Sequence, residues 1–305
     1  MAKIWLTVDG GGTKTEFCAC RDNGEIIFDS VFGNANYKAS SEESVAKNLG
    51  DGLDALMKET ASTREDIAGT VIGLSGLDSE ADRKVYLGIL KAIGLRENLY
   101  LCNDTELVFR ALSRADGICA VAGTGSIACA FKSCGMTGRV GGWGAPLSDK
   151  GSGYWIGAQV VQDMIRFLDG QNREARPIYE KVREIYLNRD EAEQCVLANL
   201  SVQDVASITH SVFECAEEGD EYCRALLQRS AEHLASLITT LYERTEFVGN
   251  IDIVAAGGLF ARDEYFEAVS RIIESRIAEC GVRFLRPQRS PAIDGLSFAL
   301  RCFPM

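Results

Sequence analysis

A glycine-rich hairpin occurs twice in the chain. Near the start it reads Leu6-Thr7-Val8-Asp9-Gly10-Gly11-Gly12-Thr13-Lys14-Thr15-Glu16, and it returns as Ala120-Val121-Ala122-Gly123-Thr124-Gly125-Ser126-Ile127-Ala128. Each copy is an apolar strand, a tight Gly/Thr turn and a second apolar strand that leaves at once. No stretch spells the Gly-x-x-x-x-Gly-Lys-Ser/Thr phosphate loop. A dinucleotide fingerprint needs a helix after its glycines, and here a strand follows. The HRD and DFG elements of protein kinases are missing too. Two hairpins of this kind, one per half, can grip a polyphosphate from both sides, which points to an ATP-using phosphotransferase.

The pattern around the hairpins also repeats. Strands are predicted at Ile4–Asp9, Thr15–Arg21 and Glu25–Ser30, the last two joined by an Asp22-Asn23-Gly24 turn. A helix runs from about Glu42 to Lys58, with Val45, Leu49, Leu53 and Leu56 on one face. Then come strand Thr70–Ser75, helix 79–93, strand Asn98–Asn103 and a helix from Asp104 through Leu112. The second half opens alike, with strands Gly117–Gly123, Ser126–Phe131 and Thr137–Gly142. A mostly helical region at 152–247 precedes strand Ile251–Ala256, helix 263–278, strand Val282–Leu285 and helix 292–301. The expectation is an α/β chain built by internal duplication, with the binding site in a cleft between the copies. The domains are predicted at 1–113 and 114–290, with 291–305 forming a helix that packs back on the first.

With 305 residues the chain is long enough for two cores. Its formal charge of -12 argues against nucleic acid or an anionic membrane as partner, because both would be repelled. ATP stays compatible, since backbone N–H groups and Mg²⁺ can hold phosphates locally. The 11 cysteines are odd in number and include no CxxC. Cys18, Cys20, Cys102, Cys119 and Cys129 lie in or beside apolar strands, where Cys acts as a small hydrophobe. No apolar stretch approaches the roughly 20 residues that span a bilayer. The run Ile4 to Val8 is too short for a secretory leader, so a reduced, cytoplasmic protein is expected.

In the first hairpin, Gly10, Gly11 and Gly12 let the backbone approach a ligand, the turn N–H groups can face phosphate oxygens, and the Thr13 hydroxyl adds a donor. Asp9 ends the strand beside them, where a carboxylate suits Mg²⁺ through water. An ordinary hairpin turn with a strand-end Asp has the same spelling; the second copy favours the phosphate reading.

Taken together, these features resemble the superfold shared by actin, Hsp70 chaperones and sugar kinases. More narrowly they resemble the N-acetylglucosamine kinase branch, which is grouped with the ATPase activators of benzoyl-CoA-type reductases. The marks, over essentially the whole chain, are Asp9 to Thr13, Ser75-Gly76, Asn103-Asp104, Gly123-Thr124-Gly125-Ser126, Gly141-Gly142-Trp143-Gly144, Asp149-Lys150-Gly151-Ser152-Gly153 and Ala256-Gly257-Gly258. The resemblance implies duplicated ribonuclease H-like (actin-like ATPase) domains with a ligand cleft between them, using ATP and Mg²⁺. By position, Asp9 serves the metal. Gly11, Gly12, Thr13 and Lys14, with Gly123, Thr124 and Gly125, meet the ATP phosphates, and Gly257 and Gly258 lie under the adenosine. Asp104 matches the position that takes the proton from the sugar hydroxyl. Asn36, Trp143, Gly144 and Asp149 match sugar-contacting positions, although Asn34 can be aligned in place of Asn36.

Several of these residues have a plain structural reading as well. Asp104 before Thr-Glu-Leu is an ordinary helix N-cap, and Asp149 could cap a helix starting near Ser152. Trp143 could be a flat face for a pyranose or a core aromatic. His210 and His233 fall in predicted helices away from any Cys pair, so a metal site through them is not expected.

The resemblance implies a kinase acting on a hydroxyl, by analogy the 6-hydroxyl, of N-acetylglucosamine. Glucosamine is a rival, because Gly33-Asn34-Ala35-Asn36 and the run from Pro287 to Gly295 look as much like bacterial glucosamine kinases; N-acetylmuramic acid is another. A homodimer is implied by analogy. A second class, the ATP-driven reductase activator, needs cysteines gathered at a dimer axis and a Gly-Gly-Gln-Asp motif. This chain has Gly141-Gly142-Trp143-Gly144 there, and its cysteines show no cluster spacing. A third class is a non-catalytic ATP switch or sugar sensor, against which both Asp9 and Asp104 argue.

Overall fold

The computed structural model describes residues 3–187, 197, 199–277 and 281–304. It divides into two compact units, Met1–Arg114 with Leu285–Met305, and Ala115–Phe284. In the first unit β1 (Ile4–Gly10), β2 (Thr15–Cys20) and β3 (Ile26–Phe32) form an antiparallel meander. β4 (Ile67–Leu74) and β5 (Leu99–Asn103) join in parallel, giving the order β3-β2-β1-β4-β5.

The central strand β1 is apolar on both faces because both are covered. Ile4, Leu6 and Val8 pack with α1 (Glu42–Thr60) and α2 (Glu80–Ala92) through Leu49, Leu53 and Tyr86. Trp5 turns to the other face, among Leu107 of α3 (Asp104–Leu112) and Ala292 and Leu296 of the last helix, Pro291–Cys302. The Trp5 indole N–H donates to the Phe303 carbonyl at 2.8 Å, tying that C-terminal segment to the first strand.

The second unit repeats the plan. β6 (Gly117–Ala122), β7 (Ser126–Lys132) and β8 (Gly135–Gly141) form the meander, and β9 (Ile251–Ala256) pairs in parallel with β6. With β10 (Val282–Leu285) the order is β10-β9-β6-β7-β8, the first sheet's order with each strand number raised by five. The duplicated α/β architecture expected from the sequence is therefore present.

The predicted helical region resolves into α4 (Gly153–Leu168), α5 (Pro177–Val182), α6 (Val202–Glu217) and α7 (Glu221–Thr245). Its breaks carry their own caps: Ser201 and Asp204 form a capping box, and Asp220 accepts from the Cys223 N–H. Then follow α8 (Asp263–Arg276) and, as α9, the Pro291–Cys302 helix of the first unit. Positions 188–196 and 198 of the predicted helical region and 278 of the predicted 263–278 helix lie outside the described residues. Among the described residues no helix is long and apolar enough to cross a membrane.

Candidate active site

In the first unit, candidate residues gather where β1, β4 and β5 end. The Gly11 N–H donates to the Lys14 carbonyl at 2.9 Å and closes the turn, leaving Gly12, Thr13 and Lys14 exposed. Asp9 stands directly opposite Glu16 in the ladder. Burial, then the charges of Asp104 and Glu16, push the Asp9 carboxyl up to about 7 against the opposing pull of Lys14.

Asp104 is the first residue of α3, not its cap. Asn103 takes the cap position, its Oδ1 accepting from the Thr105 N–H at 2.9 Å and the Thr105 hydroxyl at 2.7 Å. The Asp104 carboxylate also accepts from the Thr105 N–H, at 2.7 Å. Burial and the charge of Asp78 raise its pKa, although backbone N–H donation works in the other direction.

The loop at 33–40 reaches the same strand ends. Asn36 Nδ2 donates to the Ser75 hydroxyl at 3.4 Å, just past β4, while Asn34 Oδ1 accepts from Ser40 at 2.9 Å within its own loop. Of the two asparagines, it is Asn36 whose side chain reaches the ends of the strands.

In the second unit the Gly123 N–H donates to the Gly125 carbonyl at 2.9 Å. The first turn of α4 is stapled to this hairpin, Gly153 N–H to the Gly123 carbonyl at 2.8 Å and Tyr154 N–H to the Thr124 carbonyl at 3.2 Å. A cavity of about 450 Å³ opens beside it, lined by Gly123, Thr124, Gln203, His210, Gly258 and Arg262 among others. Among the described residues no Asp or Glu lines it, although the chain holds 44. Gly257, just before Gly258, must be glycine: its φ is 96°, and a Cβ would lie 2.4 Å from the Ala122 carbonyl oxygen.

Gln203 and Arg262 carry no motif and escaped the sequence reading, which weighed His210 only as a metal ligand. For Gln203 and His210 the one signal is spacing, since Gln203, Ala206, Ser207, His210 and Phe213 fall on one face of α6. The Thr124 hydroxyl donates to Gln203 at 3.1 Å, and Arg262 pairs with Glu217 at 3.3 Å. His233 sits apart, edge-on to Trp155 with ring centroids 4.9 Å apart, its pKa lowered by burial and then by Lys150.

Asp149 is buried and is not a helix cap; Ser152 caps α4 by accepting from the Trp155 N–H. Its Oδ1 instead accepts from the Ser148 hydroxyl at 2.9 Å and the Gly144 N–H at 3.3 Å. Its other oxygen lies where a Cβ on Gly125 would come within 2.4 Å, so the second hairpin and Asp149 are in direct contact. Trp143 is no core aromatic. It is 70% exposed, with the Arg139 guanidinium 4.5 Å from its ring centroid.

The sequence profile described as "BadF/BadG/BcrA/BcrD ATPase family" matches residues 6–293, nearly the whole chain. The chain belongs to this family. Within reach of it are an N-acetyl-D-glucosamine kinase of Dictyostelium discoideum, 26% identical over 79% of this chain and 80% of that protein, and an N-acetylmuramic acid/N-acetylglucosamine kinase of Clostridium acetobutylicum, 23% identical over 86% and 87%. Among solved structures, a candidate N-acetylglucosamine kinase from Chromobacterium violaceum covers 98% of this chain and 99% of its own, with a TM-score of 0.73 and 21% identity. That likeness gives the fold: the duplicated actin-like architecture of sugar kinases.

Proposed function

We propose that the protein is an ATP-dependent amino-sugar kinase, transferring the γ-phosphate to a hydroxyl of N-acetylglucosamine, with O6 as the acceptor. One observation carries this reading. Asp104 is a partly buried carboxylate with a raised pKa, released from capping duty by Asn103, among the same strand ends as Asp9 and Asn36. A sugar alcohol is a weak nucleophile, and phosphoryl transfer rests on positioning, charge stabilisation and a carboxylate that takes the hydroxyl proton. A carboxylate whose proton affinity exceeds that of free Asp is a better acceptor for that proton. Amino-sugar kinases among the relatives support the substrate class.

The acidic strand ends fit Mg²⁺. Burial, with repulsion from Asp104 and Glu16 added to it, holds the Asp9 carboxyl at about 7, and a divalent cation would offset both by favouring the charged form. Among the described residues no three His, Cys, Asp or Glu side chains surround a common point. Asp9 would therefore hold the ion largely through water and phosphate oxygens, the manner usual for Mg²⁺, and the ion would neutralise charge on the phosphates. Gly11 to Lys14 and Gly123 to Gly125 would hold the phosphates, and Gly257 and Gly258 would leave room for the adenosine. Asn36, Asp149, Gly144 and the face of Trp143 would contact the sugar.

The reductase-activator reading, open to any member of this family, requires thiolates on iron. Among the described residues no three Cys, His, Asp or Glu side chains surround a common point, and the Cys18 and Cys20 thiols are buried in the first sheet, where burial raises them to about 12 and about 11 in the metal-free chain. ADP release with Mg-ATP, measured against N-acetylglucosamine, glucosamine, N-acetylmuramic acid and glucose, tests the proposal. Turnover with an amino sugar, lost in Asp104→Asn, supports it; sugar-independent hydrolysis that is unchanged by the substitution overturns it.

A further inference from the structure

The first two turns of α2 grip the loop on both sides of Asn36, Asp82 after it and Tyr86 before it. Asp82, the third residue of that helix, is 5% exposed, and its carboxylate serves two different partners with its two oxygens. Oδ1 accepts from the Tyr37 hydroxyl at 2.5 Å and from the Lys38 ammonium at 2.9 Å, both residues of the loop. Oδ2 accepts from the Ser79 hydroxyl at 2.7 Å and the Asp78 N–H at 3.0 Å, at the helix's own N-terminus.

One turn on, the Tyr86 hydroxyl lies between the carbonyls of Ala35, at 3.1 Å, and Ser75, at 2.8 Å. The Tyr86 ring meets the Tyr37 ring edge-on, with centroids 5.2 Å apart. Ala35 and Tyr37 are the two chain neighbours of Asn36. The Asn36 side chain makes the 3.4 Å bond to Ser75 and accepts from the Lys38 N–H at 2.9 Å, while its carbonyl accepts from the Ala39 N–H at 3.1 Å and the Ser40 hydroxyl at 3.2 Å within the same loop. Its place is thus set mainly by what holds its neighbours.

We propose that Asp82 is a positioning residue for the amino sugar, acting through Tyr37 and Lys38 to set the Asn36 amide at the strand ends. This rests on the reading of Asn36 as a sugar contact. The carboxylate is saturated by donors, so burial, which opposes its ionisation, is outweighed; the Tyr37, Lys38 and Ser79 side chains and the Asp78 N–H hold it well below the usual carboxylate range. A bond to an ionised, buried acceptor is strong and short, which suits a clamp that must hold a loop to a fraction of an ångström.

The two oxygens allow the clamp to be separated from the helix cap. Tyr37→Phe and Lys38→Met each remove a donor to Oδ1 and leave the cap in place. Steady-state kinetics on both should show the amino-sugar KM raised about 10-fold, with the KM for Mg-ATP within about twofold of wild type. Ser79→Ala removes a donor to Oδ2 and should lower the melting temperature while leaving the sugar KM unchanged. The proposal is overturned if the two loop variants keep the wild-type sugar KM, or if Ser79→Ala raises it as much as they do. A wild-type protein with no sugar-dependent ADP release would instead overturn the kinase reading, and the positioning role with it.

Discussion

Replacing Asp104 with Asn separates the proposed catalytic role from helix capping, because Asn103 and not Asp104 caps α3. Asn103 caps α3, and an Asn at 104 can still accept from the Thr105 N–H as the carboxylate does. The substitution also removes a buried charge repelled by Asp78. The folded protein should therefore melt at or slightly above the wild-type temperature. Turnover should fall by about 10²–10⁴, the usual contribution of a positioned base. At 1.36 kcal/mol per decade that is about 2.7–5.5 kcal/mol of transition-state stabilisation.

Asn103→Ala is the counterpart: loss of the cap should cost about 1 kcal/mol and lower the melting temperature by about 2–4 °C. The assay is coupled ADP release at saturating sugar, with a thermal melt of each variant. If Asp104→Asn melts several degrees low while Asn103→Ala does not, the capping assignment is wrong. If it turns over within tenfold of wild type, Asp104 is not the base.

Asp9 should make the ligand-free protein pH-sensitive. Its folded pKa of about 7 lies above the ordinary value near 4, so the folded state binds more protons between the two and stability falls as pH rises through that window. Asp9→Asn should lessen that decline, and melts from pH 4 to 8 of both proteins check the difference. Gly257→Ala forces a Cβ against the Ala122 carbonyl at a left-handed φ and should cost about 2–5 kcal/mol in denaturant unfolding. Trp143→Ala removes an exposed ring, so it should leave the melting temperature within a degree or so of wild type. On the sugar-platform reading it raises the sugar KM, and an unchanged KM would remove Trp143 from the site.

What could be read in the sequence was whatever depends on neighbouring residues. Strand-turn-strand spelling in Asp9 to Glu16 and Ala122 to Ser126 fixes a hairpin locally, so both hairpins and the repeated order of elements along the chain were visible. Asn103 and Asp104 show the limit of that reading. Both residue types cap helices, and although the helix was expected from 104, only the backbone gives the cap to Asn103 and not Asp104. The Asp82 clamp was out of reach because it joins residues 45 positions apart, and Asp82 reads locally as a first-turn acid. The polar lining of α6 was equally hidden, because a helix face holding Gln203, Ser207 and His210 looks like a solvated one.

The duplication preserves backbone and divides chemistry. In each hairpin the ladder pair next to the last occupies the same place in the sheet. In the first it is Asp9 opposite Glu16, and in the second Val121 opposite Ile127. The same turn is thus presented once above two carboxylates and once above two aliphatic side chains. A polyphosphate is repelled by the first arrangement unless a cation stands between, whereas the second can offer its backbone N–H groups directly. Among the described residues no Asp or Glu lines the cavity next to the second hairpin, and the one carboxylate against that hairpin, Asp149 beside Gly125, already accepts from Ser148 and Gly144. A nucleotide therefore has reason to bind the second unit with its own charge and the first through a metal. On this account, omitting Mg²⁺ should abolish turnover while leaving much of the nucleotide affinity intact. Equilibrium binding of ATP with and without Mg²⁺ measures that difference. If affinity disappears together with the metal, the second hairpin does not hold the phosphates by itself and this division of labour is refuted.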